Sequence, residues 1–233
     1  MDTPENLEQL PELEFEYSPE TELEQVKGLL RPTKRKFFVE KKYKVDLPKG
    51  VSLEDEREWL GEELLSLIES EIDKEKAFKI RQEVEEAWPW IIDKLKQLLG
   101  ELELVIPANY RVRFTNYGPG GQFNPPNGII LSISDSKNWP ERIPRTLVHE
   151  AIHDAIHHLI KKYGFDSGNP DGHWVKEHIV DRLMKKVVPD SHLQKTQLDS
   201  KKIEKMDKIF DQYYPNLEKI LEEINKQIYD KQN

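Results

Sequence analysis

All seven histidines of the chain fall between positions 149 and 192. Inside that window stands His149-Glu150-Ala151-Ile152-His153, an H-E-x-x-H pattern. On a helix, residues i and i+4 lie about 40° apart, so both imidazoles project from one face and can hold one ion. Glu150 is offset by about 100°, which suits a base beside a metal rather than a ligand on it. The pattern sits in an apolar frame of Leu147, Val148, Ala151, Ile152, Ala155 and Ile156, as expected in the middle of a buried helix.

Two histidines and a water do not complete a catalytic zinc site, which takes three protein ligands. One extended form of the pattern carries a glycine and then a third histidine further along the same run, but Ile156 and Leu159 occupy those positions here. His157 continues the i, i+4 series and drifts a further 40° or so round the helix, which turns it toward solvent or behind a ligand. The better source is a later helix. His173, Glu177 and Asp181 recur at i, i+4 and i+8, and Val180 and Met184 flank their shared face. The chain has no cysteine, so every metal ligand must be His, Asp or Glu, and disulfides are excluded.

H-E-x-x-H, then about two dozen residues, then a helix bearing E-x-x-x-D resembles the gluzincin zinc metallopeptidases, the minimal single-domain ones best. Glu177-His178-Ile179-Val180-Asp181 is the second motif, and the resemblance covers positions 128 to about 187. It implies Zn2+ held by His149, His153 and Glu177, with Asp181 hydrogen-bonding a ligating histidine. It also implies that the strand before the motif helix, 128–134, binds substrate as an edge strand. Gly172-His173 resembles instead the SprT-like DNA–protein crosslink proteases, whose third ligand is a histidine soon after a glycine. His173 therefore stands as the alternative third ligand.

The implied chemistry is peptide-bond hydrolysis, endopeptidase in preference to exopeptidase. Zinc would lower the pKa of its water from ~15.7 toward ~7, and Glu150 would take the water's proton and pass it to the leaving amine. A further donor should stabilise the oxyanion, and His178, His192, Tyr163 and Tyr213 are the candidates. Two other classes stay open: a SprT-like zinc protease, and a metal-binding domain that works as an interaction module without turnover.

The elements that must position these groups follow from periodicity. Two strands are expected, YRVRFT at 110–115 and GIILSIS at 128–134. The loop between them, NYGPGGQFNPPNG, is too rich in Gly and Pro to be regular, and its GPGG lacks the Lys-Ser/Thr ending of a phosphate loop. The motif helix should start near Pro140 or Pro144 and run to about Tyr163, with the next from about Gly172 to Val187. Upstream, Ser52 and Asp55 resemble a capping box before a helix striped by Leu60, Leu64, Leu67, Ile68 and Ile72. A second helix runs from about Lys74 to Leu99 with Pro89 inside it. KRKFFVEKKYKV, 34–45, is β-prone. Two C-terminal helices are striped by Ile203, Met206, Ile209, Phe210 and Tyr213, then by Leu217, Ile220, Leu221, Ile224 and Ile228. The expected class is α+β: a zincin-like core with a small mixed sheet and an active-site helix, and mostly helical flanks. Its expected segments are a tail (1–30), a strand with two helices (31–105), the catalytic core (106–190) and C-terminal helices (191–233).

The chain has 233 residues and a net charge of −9. Residues 1–26 hold nine acids (Asp2, Glu5, Glu8, Glu12, Glu14, Glu16, Glu20, Glu22, Glu24) and no base; the remainder carries 35 acids and 35 bases. The tail thus owns the excess, and reads as a disordered solubilising segment or as a pro-segment folded onto the basic stretch 27–50 or a cationic cleft. Residues 27–50 hold nine bases and two acids, next to their own acidic competitor, which disfavours nucleic acid as a partner. No apolar run spans a bilayer and the N-terminus has no signal-peptide core, so a cytoplasmic protein acting on peptide or protein substrates is expected. The Lys- and Glu-rich, cysteine-free composition fits a thermophile.

Overall fold

The computed structural model describes residues 11–40, 44–54, 59–118, 121–126, 128–133, 139–165, 170–189 and 198–229. The fold is α+β: among the described residues there are four strands in one mixed sheet and a majority of helix. The chain divides into two compact units, Met1–Ile91 with Pro107–Glu150, and Ile92–Ile106 with Ala151–Asn233. Among the described residues no helix is long and apolar enough to cross a membrane.

The first unit holds the sheet, in the order β1-β2-β4-β3. Strand β2 (Asn109–Thr115) alternates as its sequence requires, with Tyr110, Val112 and Phe114 buried. Strand β4 (Gly128–Ser132) pairs parallel with β2, Val112 opposite Ile129. Strand β1 (Glu12–Glu16) adds parallel to the far side of β2, and β3 (Gln122–Asn124) adds antiparallel to β4. Two expectations change here. The Gly- and Pro-rich loop contains β3, because Gln122 and Asn124 reach register with Ile130 and Gly128 across a tight return. As a result β4 lies between β2 and β3, so the strand before the motif helix is internal and β3 ends the sheet.

The acidic N-terminal segment is not a detached tail in its described part. Residues 12–16 form β1, and helix α1 (Pro19–Leu29) follows at once. Ser18 and Thr21 close a reciprocal capping box, with Pro19 in the first turn, so a strongly acidic sequence still nucleates a helix. Two of its carboxylates meet arginines of β2: Arg113 reaches Glu16 at 3.0 Å and Glu24 at 3.3 Å, and Arg111 reaches Glu16 at 3.4 Å. Residues 1–10, the remainder of the expected tail, lie outside the described residues.

Helix α2 (Pro32–Glu40) stands where KRKFFVEKKYKV suggested a strand. Phe38 joins Val26, Leu29, Leu64, Ile68 and Tyr117 in one apolar cluster, and that packing outweighs the β preference of the segment. Helix α3 (Gly61–Glu71) buries Leu64 and Ile68; it starts at Leu60 rather than Ser52, whose hydroxyl instead accepts from Glu54 N, while Asp55 lies outside the described residues. Helix α4 (Lys74–Glu101) continues through Pro89, with Ile80, Val84 and Ile91 buried in this unit.

Glu22 of α1 is wholly buried. It faces the end of β2, its Oε1 accepting from Asn116 N at 2.7 Å and its Oε2 lying 2.5 Å from Thr115 Oγ1. Burial pushes its carboxyl up to about 7, against the opposing pull of those hydrogen bonds.

Helix α5 (Trp139–Lys162) runs from the first unit into the second. The second unit adds α6 (Pro170–Val187), α7 (Ser200–Tyr213) and α8 (Leu217–Ile224) with a closing turn at Asn225–Tyr229. Of the expected stripes Met206, Ile209 and Phe210, then Leu217, Ile220, Leu221, Ile224 and Ile228, are buried, while Ile203 and Tyr213 are half-buried. Asp199 caps α7 and Asn216 caps α8 through their side chains.

Candidate metal centre

Helix α5 carries the H-E-x-x-H run on its buried side. Val148, Ala151, Ile152 and Ile156 are fully buried around it, which anchors the helix by its apolar face and turns the polar residues of the same turns inward. His149 is 8% exposed, Glu150 6% and His153 4%. Helix α6 presents Glu177, 8% exposed, with His178 and Asp181 also buried. Glu177 Oε2 lies 3.2 Å from His153 Nε2. His149, His153 and Glu177 each offer one ligand atom, and the three atoms lie within 4.8 Å of one another.

The donor set suits a metal. Two imidazoles and one carboxylate are the ligands of a catalytic Zn2+ site, and converging them in a buried place without an ion costs desolvation. The two oxygens of Glu177 are divided. Oε2 turns to His153, while Oε1 faces Lys176 Nζ at 3.6 Å and His173 Nδ1 at 3.7 Å. His173 is thus a neighbour of Glu177 and lies outside the three-residue group. Asp181 sits one turn after Glu177 on α6, 5% exposed. His157 is half-buried, one turn past His153, and also lies outside the group.

The candidate oxyanion donors fare unequally. His178 points elsewhere: its Nε2 lies 2.9 Å from Asp207 of α7, beside Arg182, which pairs with Asp207 at 3.6 Å and with Asp211. That places His178 in a polar clamp between α6 and α7. Tyr163 lies beneath the Lys162 ammonium, 5.3 Å from its ring centroid, and Tyr213 is half-buried at the end of α7. His192 lies outside the described residues.

Gly121, which sequence reasoning passed over with its loop, comes close to Glu150. A Cβ placed on it would stand 2.6 Å from Glu150 Oε1 and 2.4 Å from Thr146 Cγ2. No feature of the sequence singles out this glycine from Gly118 or Gly128. No family model, no curated protein and no solved structure matches this chain.

Proposed function

We propose that this protein is a zinc-dependent metallopeptidase of gluzincin type, with His149, His153 and Glu177 as ligands and Glu150 as general base. The observation that carries the reading is the convergence of those three buried donors within 4.8 Å, on two helices, with Glu150 next to the first of them. His149, His153 and Glu177 would hold the Zn2+, which would supply Lewis acidity to activate a water and polarise a carbonyl. Glu150 takes the proton of the attacking water and delivers it to the amine nitrogen as the peptide bond breaks. Lys176 and His173 lie beside the outer oxygen of Glu177, at 3.6 and 3.7 Å, and the other oxygen faces His153. Glu177 is preferred to His173 as third ligand because it is the residue within the group. An extended peptide would add to β3, the terminal strand on the side of the sheet remote from β1.

The test is zinc stoichiometry beside peptide hydrolysis, on wild type, His153→Ala, Glu177→Ala, His173→Ala and Glu150→Gln. One zinc per chain should be lost with His153 or Glu177 and kept without His173, and Glu150→Gln should keep zinc while losing hydrolysis. Zinc lost with His173 and kept without Glu177 would move the protein to the SprT-like ligand set. Zinc bound with no turnover on any peptide would leave a metal-holding interaction domain.

A further inference from the structure

Glu150 lies against main chain. The ideal Cβ position on Gly121 is 2.6 Å from Glu150 Oε1, 3.3 Å from Glu150 Cδ and 2.4 Å from Thr146 Cγ2. Carbon atoms do not approach that closely, so a methyl group at position 121 displaces Glu150, Thr146 or both. Gly121 does not have the positive φ that marks Gly50, Gly118 and Gly164. Its lack of a side chain is required by space, not by backbone conformation.

Thr146 and Glu150 stand one turn apart on α5, so the backbone at Gly121 rests on a two-residue step of that helix. The position of this backbone is fixed from the sheet side. Gly121 leads directly into β3, whose three residues pair in register with Gly128, Ile129 and Ile130 of β4. At the other end of the strand a Cβ on Gly128 would stand 2.2 Å from Asn124 O, so the return from β3 to β4 is tight as well. The strand is held at both ends by glycines that admit close contact: one to the sheet, one to the carboxylate.

We infer that Gly121 is the positioning residue of Glu150: its bare main chain lets the terminal strand close on the carboxylate and restrict where Oε1 can lie. Of the two atoms in its way, Thr146 Cγ2 belongs to a β-branched side chain with few rotamers, and Glu150 Oε1 to a long flexible one. A side chain at 121 therefore moves the carboxylate more readily than the threonine. The chemical role of that placement rests on the metallopeptidase reading; the placement itself does not.

The test uses the full-length zinc-loaded protein as wild type, Gly121→Ala and Gly121→Ala/Thr146→Ser. Zinc content should be unchanged in all three. The crystal structure of Gly121→Ala should show the Glu150 carboxylate displaced, with His149, His153 and Glu177 in place. Peptide hydrolysis should show kcat reduced about tenfold or more with KM within about twofold. Thr146→Ser removes the methyl at 2.4 Å and relieves the tighter clash, so the double variant folds even where the single one is impaired. Its kcat should stay low, because the contact with Oε1 remains. Wild-type kcat in either variant, or Glu150 in its original place with Thr146 moved instead, overturns the inference. Absence of peptide turnover in wild type overturns the metallopeptidase reading, while the crystallographic comparison still decides the placement.

Discussion

Replacing Glu22 with glutamine should remove a pH dependence from the stability of the protein. The Thr115 hydroxyl accepts from Tyr117 N at 3.0 Å and has one proton to give. It faces two acceptors, Glu22 Oε2 at 2.5 Å and Tyr117 O at 3.1 Å. A protonated Glu22 resolves the conflict: it donates to Thr115, which then donates to Tyr117 O. The carboxyl is accordingly raised from 4.5 to about 7 by burial. A carboxyl whose pKa is higher folded than unfolded contributes stability that is complete below about 4.5 and lost as the pH rises through about 7. The full span is about 3 kcal/mol, and about 2.5 kcal/mol of it falls between pH 5 and pH 8. Glutamine reproduces the protonated form, accepting from Asn116 N through its oxygen and donating to Thr115 through its nitrogen. Urea unfolding of wild type and Glu22→Gln at both pH values isolates this residue from the other titrating groups. The wild type should lose about 2–3 kcal/mol more than the variant on going to pH 8. Parallel pH curves for the two proteins would refute the assignment of a protonated Glu22.

Two further outcomes follow from the two units. Deleting residues 1–16 removes β1, its ion pairs to Arg111 and Arg113, and the stacking of Phe15 on Phe114 at 5.6 Å. Urea unfolding should show a loss of about 2–4 kcal/mol, with aggregation through the uncovered edge of β2; unchanged stability would make β1 dispensable. His178→Ala should cost about 1–3 kcal/mol by breaking the part-buried contact to Asp207 and, on the metallopeptidase reading, leave kcat within about twofold. A large loss of kcat at unchanged stability would return His178 to the reaction.

The two helices that carry the candidate ligands are legible in the sequence. H-E-x-x-H and the His173-Glu177-Asp181 row depend only on the 3.6-residue period, which puts i and i+4 on one face in any α-helix. The apolar stripes of α4, α7 and α8, the two longer strands and the α+β class were legible for the same reason: each is a local period written over many residues. Everything that depends on a partner far along the chain is set by packing instead. Residues 34–40 of the KRKFFVEKKYKV segment are helical because Phe38 meets Val26, Leu29, Leu64 and Ile68. Three residues of a Gly- and Pro-rich loop are a strand because β4 offers them a ladder, and that one pairing moved the terminal strand from β4 to β3. Of the three acids on α1, Glu20, Glu22 and Glu24, Glu22 shares the buried face with Val26 and Leu29, and the end of β2 gives it hydrogen-bonding partners. The divided carboxylate of Glu177, the turning of His178 to Asp207 and the approach of Gly121 to Glu150 are likewise contacts between groups with no periodic relation in sequence. Periodicity fixes which face of a helix a side chain occupies; which atoms that face meets is set by packing alone.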